Sequence, residues 1–297
     1  MQTNEIETFW LNLEDRACVL LRGQDTADLL HRVTSQDTRG LAVGAGAPAC
    51  ILTGKGKMQA FFEVFRPDQD VFVLEVDRSQ RDALCALLDR FIFAERIDVI
   101  APAWRAIGVF GTEAPEPLAV DGVAPWGEGY VLGSAQLGVP SHRAHGPAEA
   151  IADLERRLTD VRSGDFADYE ALRIDAGVPR FGVDVDESTI PLEAGLESAC
   201  HPDKGCYIGQ EVIARIHTYG HVNRKLCRVR IDSNELPEPG TLIYDEGVEA
   251  GRVTSAYVLP DASAVHALAM LPFVLLEADE APELHVGAAD GPQAKLR

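Results

Sequence analysis

Cys206 lies between Gly205 and Tyr207, two residues after Lys204 and just before Gly209, Gln210 and Glu211. The octapeptide Lys204-Gly205-Cys206-Tyr207-Ile208-Gly209-Gln210-Glu211 thus sets a thiol among a cation, an amide, a carboxylate and two glycines. Thiolate is the reactive form of cysteine, and a nearby Lys or Arg favours it. Lys204 is close in sequence and Arg215 could approach in space. Tyr207, Gln210 and Glu211 would shape the loop, with Glu211 as the polar partner of the thiol. The stretch has no apolar periodicity that would bury it. Its glycines permit left-handed or tightly turned backbone, so the spacing predicts an exposed loop. The apolar run Val212–Ile216 would anchor that loop to the body.

Other chemistry is weaker. Cys200, His201, Cys206, His217 and His221 lie close together, but they do not supply the paired CxxC and His-x3–5-His units of a structural zinc site; His217 and His221 alone have the right separation, on a stretch rich in Gly and Tyr, and no metal is expected. Gly54-Lys55-Gly56-Lys57 lacks the spacing and Ser/Thr of a phosphate-binding P-loop. Gly44-Ala45-Gly46 lacks the third glycine of a dinucleotide fingerprint.

The chain has 297 residues and a formal charge of −20, which argues against direct nucleic-acid binding. That charge is uneven. Residues 201–230 hold Lys204, Arg215, Arg224, Lys225, Arg228 and Arg230 against only Asp203 and Glu211. Such an island could draw a small anion, or it could be the wet face of a strand. No apolar run approaches the roughly 20 residues needed to span a bilayer. The first residues lack the basic start of a signal peptide. The six cysteines form no CxxC pair. Together these features predict a cytoplasmic protein with free thiols, monomeric because no apolar stripe is left over.

The elements that must position the octapeptide follow from periodicity. A strand is expected over Arg16–Gly23, then a helix with Asp25 as N-cap, then a hairpin around residues 54–57 and a strand over Asp70–Asp77. Ser79 with Asp82 suggests a capping box for a helix through Ile92. Strands are expected at Ala106–Phe110 and Tyr130–Gly133, and His142–Pro147 reads as a linker. Helices should follow from Pro147 and over about Asp165–Ala176, the second stopped by Gly177. After Asn223 come short strands at Leu226–Ile231, Thr241–Asp245, Gly251–Leu259, Val265–Leu271, Phe273–Ala278 and His285–Ala288. Their spacing predicts an antiparallel barrel of about six strands. The fold class is α+β.

The octapeptide closely resembles the signature of the YgfZ family, folate-binding proteins of the aminomethyltransferase superfamily that support iron–sulfur protein assembly. Two further stretches carry the resemblance: the Gly23-to-Asp37 pattern ending in Thr34-Ser35-Gln36-Asp37, and Leu172–Gly182 followed by Pro191–Leu196. The resemblance implies a three-domain ring of two mixed α/β domains with antiparallel sheets and a C-terminal β-barrel. The segments would be 1–45 with 147–222 (folate-binding), 46–146 (ferredoxin-like) and 223–297 (barrel). It implies tetrahydrofolate or a one-carbon derivative as cofactor and iron–sulfur client or assembly proteins as partners. It also implies a link to tRNA modification and Cys206 as the working thiol, with Lys204 beside it. Asp175 matches the acid that accepts the two pterin donors, with Glu193 a second candidate. Arg173 and Arg215 could meet the folate carboxylates. The enzymes' catalytic Asp falls by rough alignment at Ala60 or Phe61, where no carboxylate stands. An accessory protein is therefore expected; the alternative is a folate-dependent one-carbon transferase or demethylase.

Overall fold

Two β-sheets organise the first part of the chain, each built from runs of β-branched and aromatic residues between turn signals. The computed structural model describes residues 7–278 and 280–297, with only the backbone of Tyr219. In chain order the elements are β1 (Phe9–Asn12), β2 (Arg16–Arg22), α1 (Thr26–Val33), β3 (Gly46–Leu52), β4 (Met58–Asp68), β5 (Val71–Asp77), α2 (Arg81–Asp89) and β6 (Asp98–Ile100). There follow β7 (Arg105–Phe110), β8 (Val123–Trp126), β9 (Gly129–Ser134), β10 (Ser141–Gly146), α3 (Ala148–Glu155) and β11 (Arg162–Ser163). One sheet has the order β3-β4-β5-β2-β6 and the other β11-β1-β7-β10-β9-β8. These sheets, with the segment Ser198–Gln210, form one compact unit. Leu30 of α1 and Leu84 and Leu88 of α2 lie in one core with Val19, Ile51, Phe62 and Leu74 from the first sheet.

The second unit comprises Phe166–Glu197 and Glu211–Arg297. It contains α4 (Phe166–Ala176), then α5, which begins at Gln210 and runs to Tyr219. After these come β12 (Arg224–Ile231), β13 (Leu242–Asp245), β14 (Val248–Val258), β15 (Val265–Pro272), β16 (Leu284–Val286) and β17 (Gln293–Leu296). The six strands close into an antiparallel barrel in the order β12-β15-β14-β13-β16-β17. Its core takes Val229, Ile243, Val253, Ala267, Leu271 and Val286. Helix α4 covers the outside of β14 and β15. That is why β15 is buried on both faces and reads as an almost unbroken apolar run. Among the described residues no helix is long and apolar enough to cross a membrane.

Several local expectations need correction. His142–Pro147 is not a linker: Ser141–Gly146 is β10, an inner strand of its sheet. Its polar letters hid it, because Arg143 and His145 are buried and bonded rather than wet. Phe273–Ala278 contains a 3-10 turn over Phe273–Leu275, and the sixth barrel strand is Gln293–Leu296. The Ser79 capping box does not form. Asp77 instead caps the 3-10 turn Arg78–Gln80, accepting from the backbone N–H and hydroxyl of Ser79, and α2 starts at Arg81 with no side-chain cap. The run after the octapeptide is the helix α5, with Ile213 buried. The basic island is mainly strand β12, where Arg224 meets Glu193, Lys225 meets Glu197 and Arg230 meets Asp232.

A buried ionic cluster joins β4, β5 and β10. Arg143 Nε reaches both Glu75 carboxylate oxygens at 3.0 and 2.8 Å, and its other nitrogens donate to Glu63 and the Ser141 hydroxyl. His145 Nε2 lies 2.7 Å from Glu75 Oε1. Burial alone would raise the Glu75 carboxyl, but the Arg143 charge and the His145 contact overcome it and hold the group well below its usual range. Removing the cation strands two buried carboxylates. Arg143→Met should therefore cost about 3–5 kcal/mol in urea unfolding, whereas a change under about 1 kcal/mol would contradict this pairing.

Candidate functional site

The octapeptide is fastened to the end of α1. Helix α1 ends at Val33, so its last carbonyls lack intrahelical partners. Lys204 supplies the missing donor. Its Nζ donates to the carbonyl oxygens of His31 at 2.6 Å, Thr34 at 2.5 Å and Gln36 at 2.9 Å. An ammonium has three N–H groups, and all three are used. A cation at a helix C-terminus also meets the negative end of the helix dipole. Burial lowers the Lys204 pKa to about 8. The same Nζ lies over the Tyr207 ring, 4.8 Å from its centroid.

The Thr34-Ser35-Gln36-Asp37 stretch is the dock for this clamp. The Ser35 hydroxyl donates to Ala199 O at 2.6 Å, and Ser35 O accepts from the His201 N–H at 2.9 Å. Gln36 Nε2 donates to Ser198 O at 3.0 Å and to Pro48 O at 2.9 Å. Two sequence motifs more than 160 positions apart are thus stitched together. Sequence reasoning missed Ser35 and Gln36 as positioning residues. Their signal was present only as a polar tetrapeptide directly after an amphipathic helix.

Cys206 lies beyond the clamp, exposed, and its thiol forms no hydrogen bond among the described residues. It is the exposed cysteine of the six; Cys18, Cys50 and Cys200 are buried, and burial pushes the Cys18 and Cys50 thiols well up. Gly209 has φ +86°, and a methyl group there would stand 2.6 Å from Thr53 O on the β3–β4 turn, so no other residue fits. Gly205 has no left-handed φ; it faces His31 Nε2, 3.3 Å from where a methyl would lie. The Tyr207 N–H donates to Gln210 Oε1 at 3.0 Å, which fixes the entry to α5. Burial raises the Tyr207 hydroxyl pKa. Glu211 is exposed on the first turn of α5. Lys204 is committed to carbonyls, so the expectation that it serves the thiol as a neighbouring cation is replaced by a role in holding the loop.

The residues expected to meet folate are mostly occupied. Arg173 is fully buried, and its five N–H groups go to Glu170, Asp184, Ser255 and Val178 O. It binds α4 to β14 and cannot reach a ligand, which corrects that assignment. Asp175 accepts from Tyr257 Oη at 2.8 Å and Arg297 Nη1 at 2.6 Å, and His266 Nδ1 stands 2.8 Å away. A pterin could engage both its oxygens only by displacing these groups. Glu193 accepts from the Ile190 N–H at 3.1 Å and meets Arg224 Nε at 3.3 Å, capping the 3-10 turn Pro191–Ala194. Arg215 is exposed on α5 with no ionic or hydrogen-bonded partner among the described residues. No group of three or more His, Cys, Asp or Glu is placed to hold a metal among the described residues.

No family model matches the chain. A putative chloroplastic transferase of Arabidopsis thaliana is 25% identical over 80% of the chain, which spans 59% of that protein's length. The tRNA-modifying protein YgfZ of Photobacterium profundum is 23% identical over 96% of the chain and 88% of its own length. An aminomethyltransferase of Rubrobacter xylanophilus is 26% identical over 86% and 73%. Among solved structures, the glycine cleavage system aminomethyltransferase T of Bartonella henselae superposes with a TM-score of 0.86 at 19% identity, over 98% of this chain and 85% of that one. The fold is therefore that of the aminomethyltransferases.

Burial raises the Asp175 carboxyl, but the bonds from Arg297, Tyr257 and His266 outweigh it and leave the pKa below its ordinary value. A depressed carboxyl stabilises the fold above its unfolded pKa and loses that contribution as pH falls through the folded one. Asp175→Asn should lower unfolding stability at pH 7 by about 1 kcal/mol, allowing for solvent screening. The gap to wild type should close below about pH 4. A gap unchanged at low pH would contradict this.

Proposed function

We propose that this chain, which has the aminomethyltransferase fold, is a YgfZ-like folate-related accessory protein whose working group is the Cys206 thiol. Its clients are iron–sulfur proteins, during assembly or repair. The single observation carrying this reading is an exposed thiol set on a loop that is itself clamped by Lys204 and wedged by Gly209. A loop whose polar groups are satisfied on both sides of one bare sulfur suits chemistry at that sulfur.

Tetrahydrofolate is the cofactor this reading names. Three of its four expected contacts do not fit as free groups, since Arg173, Asp175 and Glu193 are engaged internally. Arg215 remains as a cation for its carboxylates. The link to tRNA modification, which the name of the Photobacterium relative carries, is read as indirect, through an iron–sulfur client that acts on RNA. Direct binding is disfavoured by the −20 charge. The transferase alternative gains no support at Ala60 or Phe61, which offer no carboxylate.

In a strain lacking this protein, iron–sulfur enzyme activities should fall and be restored by the wild-type gene. Cys206→Ala should fold and bind tetrahydrofolate in calorimetry like wild type, yet leave those activities low. Full restoration by Cys206→Ala would overturn the assignment to this thiol.

A further inference from the structure

The first unit holds a second cleft, lined by three arginines from separate elements. Arg78 comes from the 3-10 turn before α2, Arg81 from the first residue of α2 and Arg105 from the first residue of β7. The cleft has a volume of about 400 Å³ and is walled by Trp104, with Asn12 and Glu14 on its rim. Volumes of roughly 300–1,000 Å³ are usual for small-molecule sites. In a chain with 47 acidic and 27 basic residues, three arginines lining one cleft run against the composition, with Glu14 as the acid of the lining and Asp82 paired to Arg81.

The arginines are only partly used. Arg78 is anchored by Nε to Glu14 O at 2.6 Å and by Nη2 to Arg16 O at 2.7 Å, which fixes its plane and leaves Nη1 available. Arg81 forks onto its exposed neighbour Asp82 through Nε and Nη2, each 2.8 Å from Oδ1, and has no other ionic or hydrogen-bonded partner among the described residues. Arg105 is exposed and has no ionic or hydrogen-bonded partner among the described residues. Fork-shaped guanidinium groups match the oxygens of a phosphate. Trp104, held by tilted packing on Tyr130 at 6.1 Å between ring centroids, provides a half-buried aromatic wall of the kind on which bases stack.

We propose that this cleft binds a phosphate monoester carried by a planar base, a nucleoside monophosphate, with Arg78, Arg81 and Arg105 on the phosphate and Trp104 against the base. The test is calorimetric titration of the full chain with AMP and, separately, with inorganic phosphate, at low salt because exposed charges are screened. AMP should bind saturably and about tenfold more tightly than inorganic phosphate, the difference being the stacked base. Arg81→Ala with Arg105→Ala should weaken AMP by about tenfold or more. Both side chains lie outside the anchoring network, so that variant should keep the wild-type melting temperature; Arg78→Ala is avoided because it ties down Glu14 and Arg16. Trp104→Phe should erase any quenching of indole fluorescence by AMP. Equal affinity for phosphate and AMP would overturn the nucleotide assignment. No saturable binding, or binding unchanged in the double variant, would overturn the site.

Discussion

One ammonium group among three backbone carbonyls fixes the region around Cys206. The end of α1 would otherwise leave acceptors bare, and the octapeptide would otherwise be a glycine-loosened loop with no reason to hold one conformation. Charge-assisted bonds of this kind contribute about 1.5–3 kcal/mol, and leaving the buried acceptors unmade costs about as much. The clamp therefore solves a problem at both of its ends. It also spends the lysine, so the cation nearest to Cys206 in sequence is a fastening rather than a proton-transfer partner.

The same division runs through the second unit. Arg173, Asp175 and Glu193 have residue types suited to a ligand, yet each is bound into a network that ties loops and α4 to the barrel. Five donors on Arg173 and three partners around Asp175 leave little capacity for anything else. Buried, fully satisfied polar networks of this sort favour one arrangement of packed elements. Residue type alone therefore overstated the ligand contacts, whereas hydrogen-bond accounting assigns these groups to architecture.

What could be read from the letters depended on periodicity. The barrel after Asn223, the hairpin at residues 54–57 and the stop of α4 at Gly177 were legible because apolar spacing and glycine place them directly. β10 was not, since Arg143 and His145 resemble solvent-facing residues until Glu75 and Glu63 are seen beneath them. α5 was missed because Gly209 and the polar residues Gln210 and Glu211 look like more loop, although Gln210 closes the turn at its start. In the site, the octapeptide stood out through composition, while its dock at Ser35 and Gln36 needed a contact across more than 160 residues that no local pattern reports.

Hydrogen–deuterium exchange of wild type and Lys204→Met would address the clamp most directly. Amides over residues 201–209 and in the last turn of α1 should exchange at least about tenfold faster in the variant, with the barrel strands unchanged, as expected for a local opening. Equal protection of the 201–209 segment in the two proteins would contradict the view that this lysine holds the cysteine loop in place.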